Sequence, residues 1–176
     1  QQSPASVAMV NAFGAAAAPM GFGEVYTAIQ QGVIDGAENN ELALTNNKHG
    51  EVAKYYAYNK HQMVPDMLVG NLKFLESLTA EELKVFREAA RISTEVELEE
   101  WDRQVKEARE TAARDMGVEF LEADVEAFKE KVLGLHREML EDNPDIEPVY
   151  QAIQRVNEEM KERSKEESKE KAGLRL

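Results

Sequence analysis

Pro19-Met20-Gly21-Phe22-Gly23-Glu24-Val25-Tyr26-Thr27-Ala28-Ile29-Gln30-Gln31-Gly32-Val33-Ile34-Asp35-Gly36-Ala37-Glu38-Asn39-Asn40 is the stretch on which the reading of this 176-residue chain turns. Val25, Ala28 and Ile29 share one face of a helix predicted over 23–31, and Gly32 stops it. Val33-Ile34 then leads into Asp35-Gly36, a turn signal, and a polar run through Asn40. Just upstream, Ser3-Pro4 reads as an N-cap followed by proline at the first helical position. Val7, Val10 and Phe13 line that helix, Gly14 ends it, and 15–20 is extended because Pro19 forces its predecessor out of the helical region. Helix, short strand, helix, short strand is an α/β pattern whose strand ends open toward a ligand crevice.

Working outward, 42–56 reads as a helix interrupted by Gly50, and 61–72 as β-like with Pro65 at an edge or bulge. Thr79-Ala80-Glu81-Glu82 is a capping box. The segment behind it runs to Met116 without Pro or Gly, so a spine helix over 79–116 would be about 55 Å long. Glu99–Arg103, Asp102–Lys106 and Glu110–Arg114 stand at favourable i,i+4 spacing along it. Gly117 ends the helix, 118–121 reads as a strand, and amphipathic helices follow over 125–140 and 146–160. The chain thus divides into an α/β part with cleft-lining segments (1–60), a crossover strand (61–78), the spine helix, and a strand with C-terminal helices (117–160). The polar stretch 161–176 is a solvated helix end or disordered.

Composition narrows the function. Thirty-four acidic residues against 21 basic give a net charge of −13, which repels nucleic acid and anionic membranes as generic partners. Cysteine is absent, excluding disulfides, thiolate nucleophiles and Cys-based zinc sites. Gly21-Phe22-Gly23 is only the start of a dinucleotide fingerprint, with Tyr26 at the third glycine position and no strand before it. His49, His61 and His136 lack zinc-motif spacing and read as surface or hydrogen-bonded structural histidines. No catalytic group, metal site or cofactor is expected, so the chain is not read as an enzyme. Asn39-Asn40 admits two readings: an amide pair that fixes an oxygen-rich small molecule, or an Asx turn opening the next helix.

The stretch 19–40, continued by His49-Gly50-Glu51-Val52-Ala53-Lys54-Tyr55-Tyr56 and His61-Gln62-Met63-Val64-Pro65-Asp66, resembles the DctP-type solute-binding proteins of TRAP (tripartite ATP-independent periplasmic) transporters. The resemblance covers 1 to about 155 and corresponds to the carboxy-terminal half of such a protein. It implies a periplasmic-binding-protein-like α/β fold of two lobes around a cleft, here in part, with the long helix crossing both. It further implies periplasmic capture of a small organic carboxylate, handed to sodium-driven membrane permease subunits by hinged closure. Asn39 matches the asparagine that hydrogen-bonds the ligand's carboxylate region. Phe22 matches an aromatic position on the cleft wall, where core packing is the alternative. Gln2 falls at a position that can contact ligand, and Glu38 and His61 match a supporting polar network.

In the family an arginine clamps the carboxylate with two parallel hydrogen bonds; by alignment it would fall two positions upstream of Gln1. The chain opens at Gln1 without an initiator Met or a visible secretory signal, which predicts cutting or processing upstream. Standing alone, these 176 residues are expected to bind ligand weakly or not at all. The competing reading is a structural fragment that self-associates through exposed apolar surface or the long helix.

Overall fold

The computed structural model describes residues 3–173, with side chains through 166. Ser3 Oγ accepts the Ser6 N–H at 3.1 Å and caps α1 (Pro4–Ala12), with Pro4 in the first turn. Gly14 leaves the helical region at φ 93°, and Asn11 Oδ1 accepts the Ala17 N–H at 3.0 Å, pinning the extended segment that follows. A 3-10 turn (Phe22–Glu24) leads into α2 (Val25–Gln30), and Gly32, at φ 69°, ends that unit. The predicted short strands at 15–20 and 33–34 do not form; both segments run without ladder partners.

The predicted helix over 42–56 is instead three elements: α3 (Leu42–Asn46), α4 (His49–Val52) and strand β1 (Tyr55–Tyr58). Lys48 in the left-handed region, φ 59°, makes the tight joint between the two helices. Gly50 lies inside α4 and does not break it. A Cβ there would sit 2.6 Å from Met116 Sδ, 3.2 Å from Val118 and 3.3 Å from the Leu44 carbonyl, so only glycine allows this close approach. Aromatic residues then turn the chain to β structure at Tyr55-Tyr56.

No strand forms over 61–78. The segment is irregular to Asn71, whose side chain accepts the Phe74 N–H at 3.1 Å and starts the short α5 (Leu72–Glu76). Pro65, which can donate no ladder hydrogen bond, weakens any strand there, and the segment pairs with neither β1 nor β2. Helix α6 (Ala80–Met116) matches the expected spine, 37 residues long. Its capping box is complete: Thr79 Oγ1 accepts the Glu82 N–H at 3.3 Å and Glu82 Oε2 accepts the Thr79 N–H at 2.8 Å. The ion pairs along it differ from those expected. Arg103 reaches back to Glu100 (2.6 Å) and forward to Glu107 (2.8 Å), Arg91 pairs with Glu88 and Glu95, and Arg114 bonds its neighbour Asp115.

Gly117 (φ 67°) caps α6, and β2 (Glu119–Glu122) runs parallel to β1 in the register Tyr55↔Glu119 to Tyr58↔Glu122. Lys54 Nζ donates to the Gly50 carbonyl at 2.9 Å and the Met116 carbonyl at 2.7 Å, satisfying groups at the ends of two helices. Leu44, Ala112 and Val118 form the buried core, with Tyr56, Met116 and Phe120 packed on it. Arg109 lies over the Tyr58 and Phe120 rings at 5.2 and 5.5 Å.

The chain separates into two compact units, the first ending at Lys129 and the second beginning at Glu130. Helix α7 (Val125–Asp142) starts in the first unit, where Phe128 meets Phe13 edge-on at 5.0 Å. In the second unit a 3-10 turn (Pro144–Ile146) precedes α8 (Glu147–Gly173), which extends the predicted helix well into the polar stretch. His136 stacks edge-on against Tyr150 there, at 5.7 Å.

Candidate functional site

Within the first unit an open cleft of about 980 Å³ is bounded by α1, the segment 15–22, the segment 33–39 and the start of α4. Phe22, Glu38 and Asn39 line it. Phe22 is 48 % exposed, so core packing does not account for its ring. Its only ring contact among the described residues is His49, edge-on with centroids 5.5 Å apart.

Asn39 and Asn40 divide the two readings of the amide pair between them. Asn40 Oδ1 accepts the Leu42 N–H at 3.1 Å, an Asx turn that opens α3. Asn39 Oδ1 accepts the Asn40 N–H at 2.9 Å, and its side-chain NH2 has no partner among the described residues. Because a backbone N–H fixes which amide atom is the oxygen, the donor end is the one left for a ligand.

Strand β1 holds this turn from beneath. Tyr56 donates its hydroxyl to the Asn39 carbonyl at 2.8 Å, and Tyr58 donates to Glu41 Oε1 at 3.0 Å. Burial raises the Tyr56 phenol well above its ordinary range. Burial, then the hydrogen bond to Glu41, pushes Tyr58 up to about 12. Both phenols therefore remain donors at every physiological pH. Sequence reasoning missed these two tyrosines: Tyr55-Tyr56-Ala57-Tyr58 shows no alternation of polar and apolar residues, and the exposed and inward positions alternate only once the strand has formed.

Glu38 and His61 do come together, with Nε2 to Oε2 at 3.3 Å, and His61 Nδ1 lies 2.6 Å from Asn59 Oδ1. Glu38 faces the cleft, whereas His61 stands behind it and is not part of the lining. Gln2 lies outside the described residues. His49, read from the sequence as a surface or hydrogen-bonded histidine, is buried, and its ring makes no hydrogen bond among the described residues. It is 6 % exposed and borders the cleft, and burial lowers its basicity. Ser6, the other buried polar residue, borders the same cleft with its Oγ 2.8 Å from Ser3 Oγ.

The arrangement offers an amide donor, a half-exposed aromatic face and buried polar groups around one opening, which suits capture of a small polar molecule. Residues 1–143 match the family model of the bacterial extracellular solute-binding proteins, family 7. The chain belongs to that family. Its members are solute-binding transport proteins of the periplasm, not enzymes.

Among solved structures similar to this family member, a TRAP periplasmic solute-binding protein from Anaerococcus prevotii with bound α/β-D-glucuronate is 52 % identical, with TM-score 0.81. It covers 90 % of this chain and 51 % of its own. One from Sulfitobacter sp. NAS-14.1 with bound β-D-galacturonate is 34 % identical, TM-score 0.75, covering 83 % and 48 %. The C4-dicarboxylate-binding periplasmic protein DctP of Rhodobacter capsulatus is 32 % identical over 149 residues, 80 % of this chain and 43 % of its own. This family 7 chain spans about half the length of the relatives it matches. The α/β periplasmic-binding-protein fold and its long helix stand on these likenesses.

Proposed function

We propose that this chain forms part of a periplasmic TRAP receptor that captures a sugar acid of the hexuronate type and delivers it to the membrane permease in sodium-coupled uptake. The observation that carries this reading is the cleft itself, lined by both the half-exposed Phe22 ring and Asn39, whose amide NH2 has no partner among the described residues. The amide NH2 donates to the ligand's carboxylate end, and Phe22 packs against the carbon face of its ring. Gln2 adds a polar contact, and the Glu38–His61 pair steadies the segment behind Asn39. Relatives that carry uronates support the ligand class.

Calorimetric titration of the full-length gene product with D-glucuronate, D-galacturonate and succinate tests this. A uronate is expected to bind most tightly, and Asn39→Ala to weaken it about tenfold or more, as loss of one hydrogen bond to a charged group does. Succinate binding more tightly than either uronate would overturn the ligand class. Unchanged affinity in Asn39→Ala would remove Asn39 from the site.

A second reading, self-association, has its own observation. Met63, Met67 and Val69 are 77–87 % exposed, and Phe86, Ile92 and Val96 on α6 are open as well. A mass in solution twice that of one chain supports pairing through these surfaces, and a monomer at high concentration removes it.

A further inference from the structure

Among the cleft residues whose chemistry the proposed contacts leave unused, His49 is the one that touches Phe22. It follows Lys48, whose left-handed backbone swings the imidazole inward at the first position of α4. The side chain is more than nine-tenths buried and borders the cleft, and neither ring nitrogen has a hydrogen-bond partner among the described residues. Among the described residues the side-chain atom sealed off without a partner is His136 Nδ1, so the His49 nitrogens, although the residue is only 6 % exposed, keep access to the cleft. A ring nitrogen open to a binding cleft is free to pair with what enters it.

The chemistry of that group selects its partner. Burial keeps the imidazole uncharged near neutral pH, so it presents one N–H donor and one lone pair. That pair complements a hydroxyl, which also both donates and accepts, better than it complements an anion. Its position agrees. His49 meets Phe22 edge-on at 5.5 Å, so a ring laid on Phe22 brings its rim substituents toward the imidazole. In a sugar acid those substituents are hydroxyls.

We propose that His49 is a specificity-determining residue that hydrogen-bonds a ring hydroxyl of the sugar acid seated on Phe22. This rests on the sugar-acid reading above and assigns what separates sugar acids from hydroxyl-free carboxylates at the same cleft. The carboxylate is held by Asn39 and its neighbours in either ligand; only the sugar gives His49 a partner. A site built around such a bond discriminates strongly against ligands lacking the hydroxyl, because its own polar group is then left unpaired.

The test uses the full-length gene product with D-glucuronate and with cyclohexanecarboxylate, a ring acid without hydroxyls. His49→Phe keeps the packing against Phe22 and removes both ring nitrogens. The expected result is an affinity for D-glucuronate lowered about tenfold or more, with cyclohexanecarboxylate held within about twofold. His49→Gln, which restores a donor and an acceptor, should recover D-glucuronate binding to within about threefold of the parent. In the parent protein the His49 imidazole 15N resonances should shift on adding D-glucuronate, a readout that needs no variant to fold. Equal loss of both ligands would reduce His49 to a support for Phe22, and unchanged glucuronate affinity or unmoved 15N resonances would overturn the inference outright. Failure of the parent to bind any uronate would sink the sugar-acid reading and this inference together; a binding parent with an indifferent His49→Phe sinks this inference alone.

Discussion

The two ends of α6 carry different apolar residues, large toward the N-terminus and small toward the C-terminus, and live in different surroundings. Near its C-terminus Ala108 and Ala112 are buried, Ala112 completely, against α3, α4 and Val118. Toward its N-terminus Val85, Phe86, Ile92, Val96, Leu98 and Trp101 remain exposed, with only the Phe74 ring meeting Phe86 at 5.4 Å. Small residues lie where a neighbour comes close, and large apolar ones where the described residues supply none. Helical periodicity therefore marks a face that can be covered, whereas coverage depends on what the rest of the chain brings to it. The first end positions the cleft, since the core it anchors carries β1 and, through Tyr56, the Asn39 turn.

If that contrast is energetic as well as geometric, the largest effect falls at the closest approach to the buried end. Gly50→Val drives a branched side chain against Met116, Val118 and the Leu44 carbonyl, and should cost about 3 kcal/mol or prevent folding, at the upper end for overpacking. Urea denaturation measures it; a loss below about 0.5 kcal/mol, the level of an ordinary surface change, would mean the buried end is slack. Thr79→Ala removes the cap at the other end and should cost that end about 1 kcal/mol of helix stability. Hydrogen exchange should quicken over the first turns of α6 while the global urea midpoint stays put. A moved midpoint would show the two ends to be coupled.

Acidification tests the buried end through His49. Its folded pKa is lowered by burial, so the unfolded chain takes up a proton first, near the ordinary value of about 6.5. The contribution of the neutral ring is present above that pH and is lost as pH falls through it. Comparing His49→Phe with the parent between pH 7.5 and pH 5.5 should therefore give the variant the flatter stability profile; parallel profiles would contradict the burial assigned to His49. The smallest effect is expected at the exposed end, where Val96→Ser should change stability by no more than about 0.5 kcal/mol.

Much of this molecule could be read before it was seen, and the misses share one cause. Ser3, Gly32, Thr79 and Gly117 act within a turn of their own position, so their residue types alone announced where helices start and stop. The long helix followed because nothing in 80–116 breaks it. At 42–58 local reasoning failed: Gly50 looks like a helix breaker until Met116 is seen packed on it, and Tyr55–Tyr58 became a strand because β2, more than 60 residues on, supplies the edge. At 61–78 apolar, β-prone residues joined neither open edge of the two-stranded sheet and made no strand.

The candidate site divides the same way. Sequence by itself carried the family resemblance, because that rests on a contiguous motif, and through it the expectation that Phe22 and Asn39 face a ligand; that Glu38 and His61, 23 residues apart, lie within 3.3 Å of each other came from the tertiary structure. Tertiary structure alone decided that Asn40 caps a helix while Asn39 keeps its amide, and that two tyrosines from a parallel strand hold the turn. It also decided that His49 is buried beside the cleft. Burial and long-range hydrogen bonding depend on which distant segments meet, and the sequence around a residue does not state its neighbours in space.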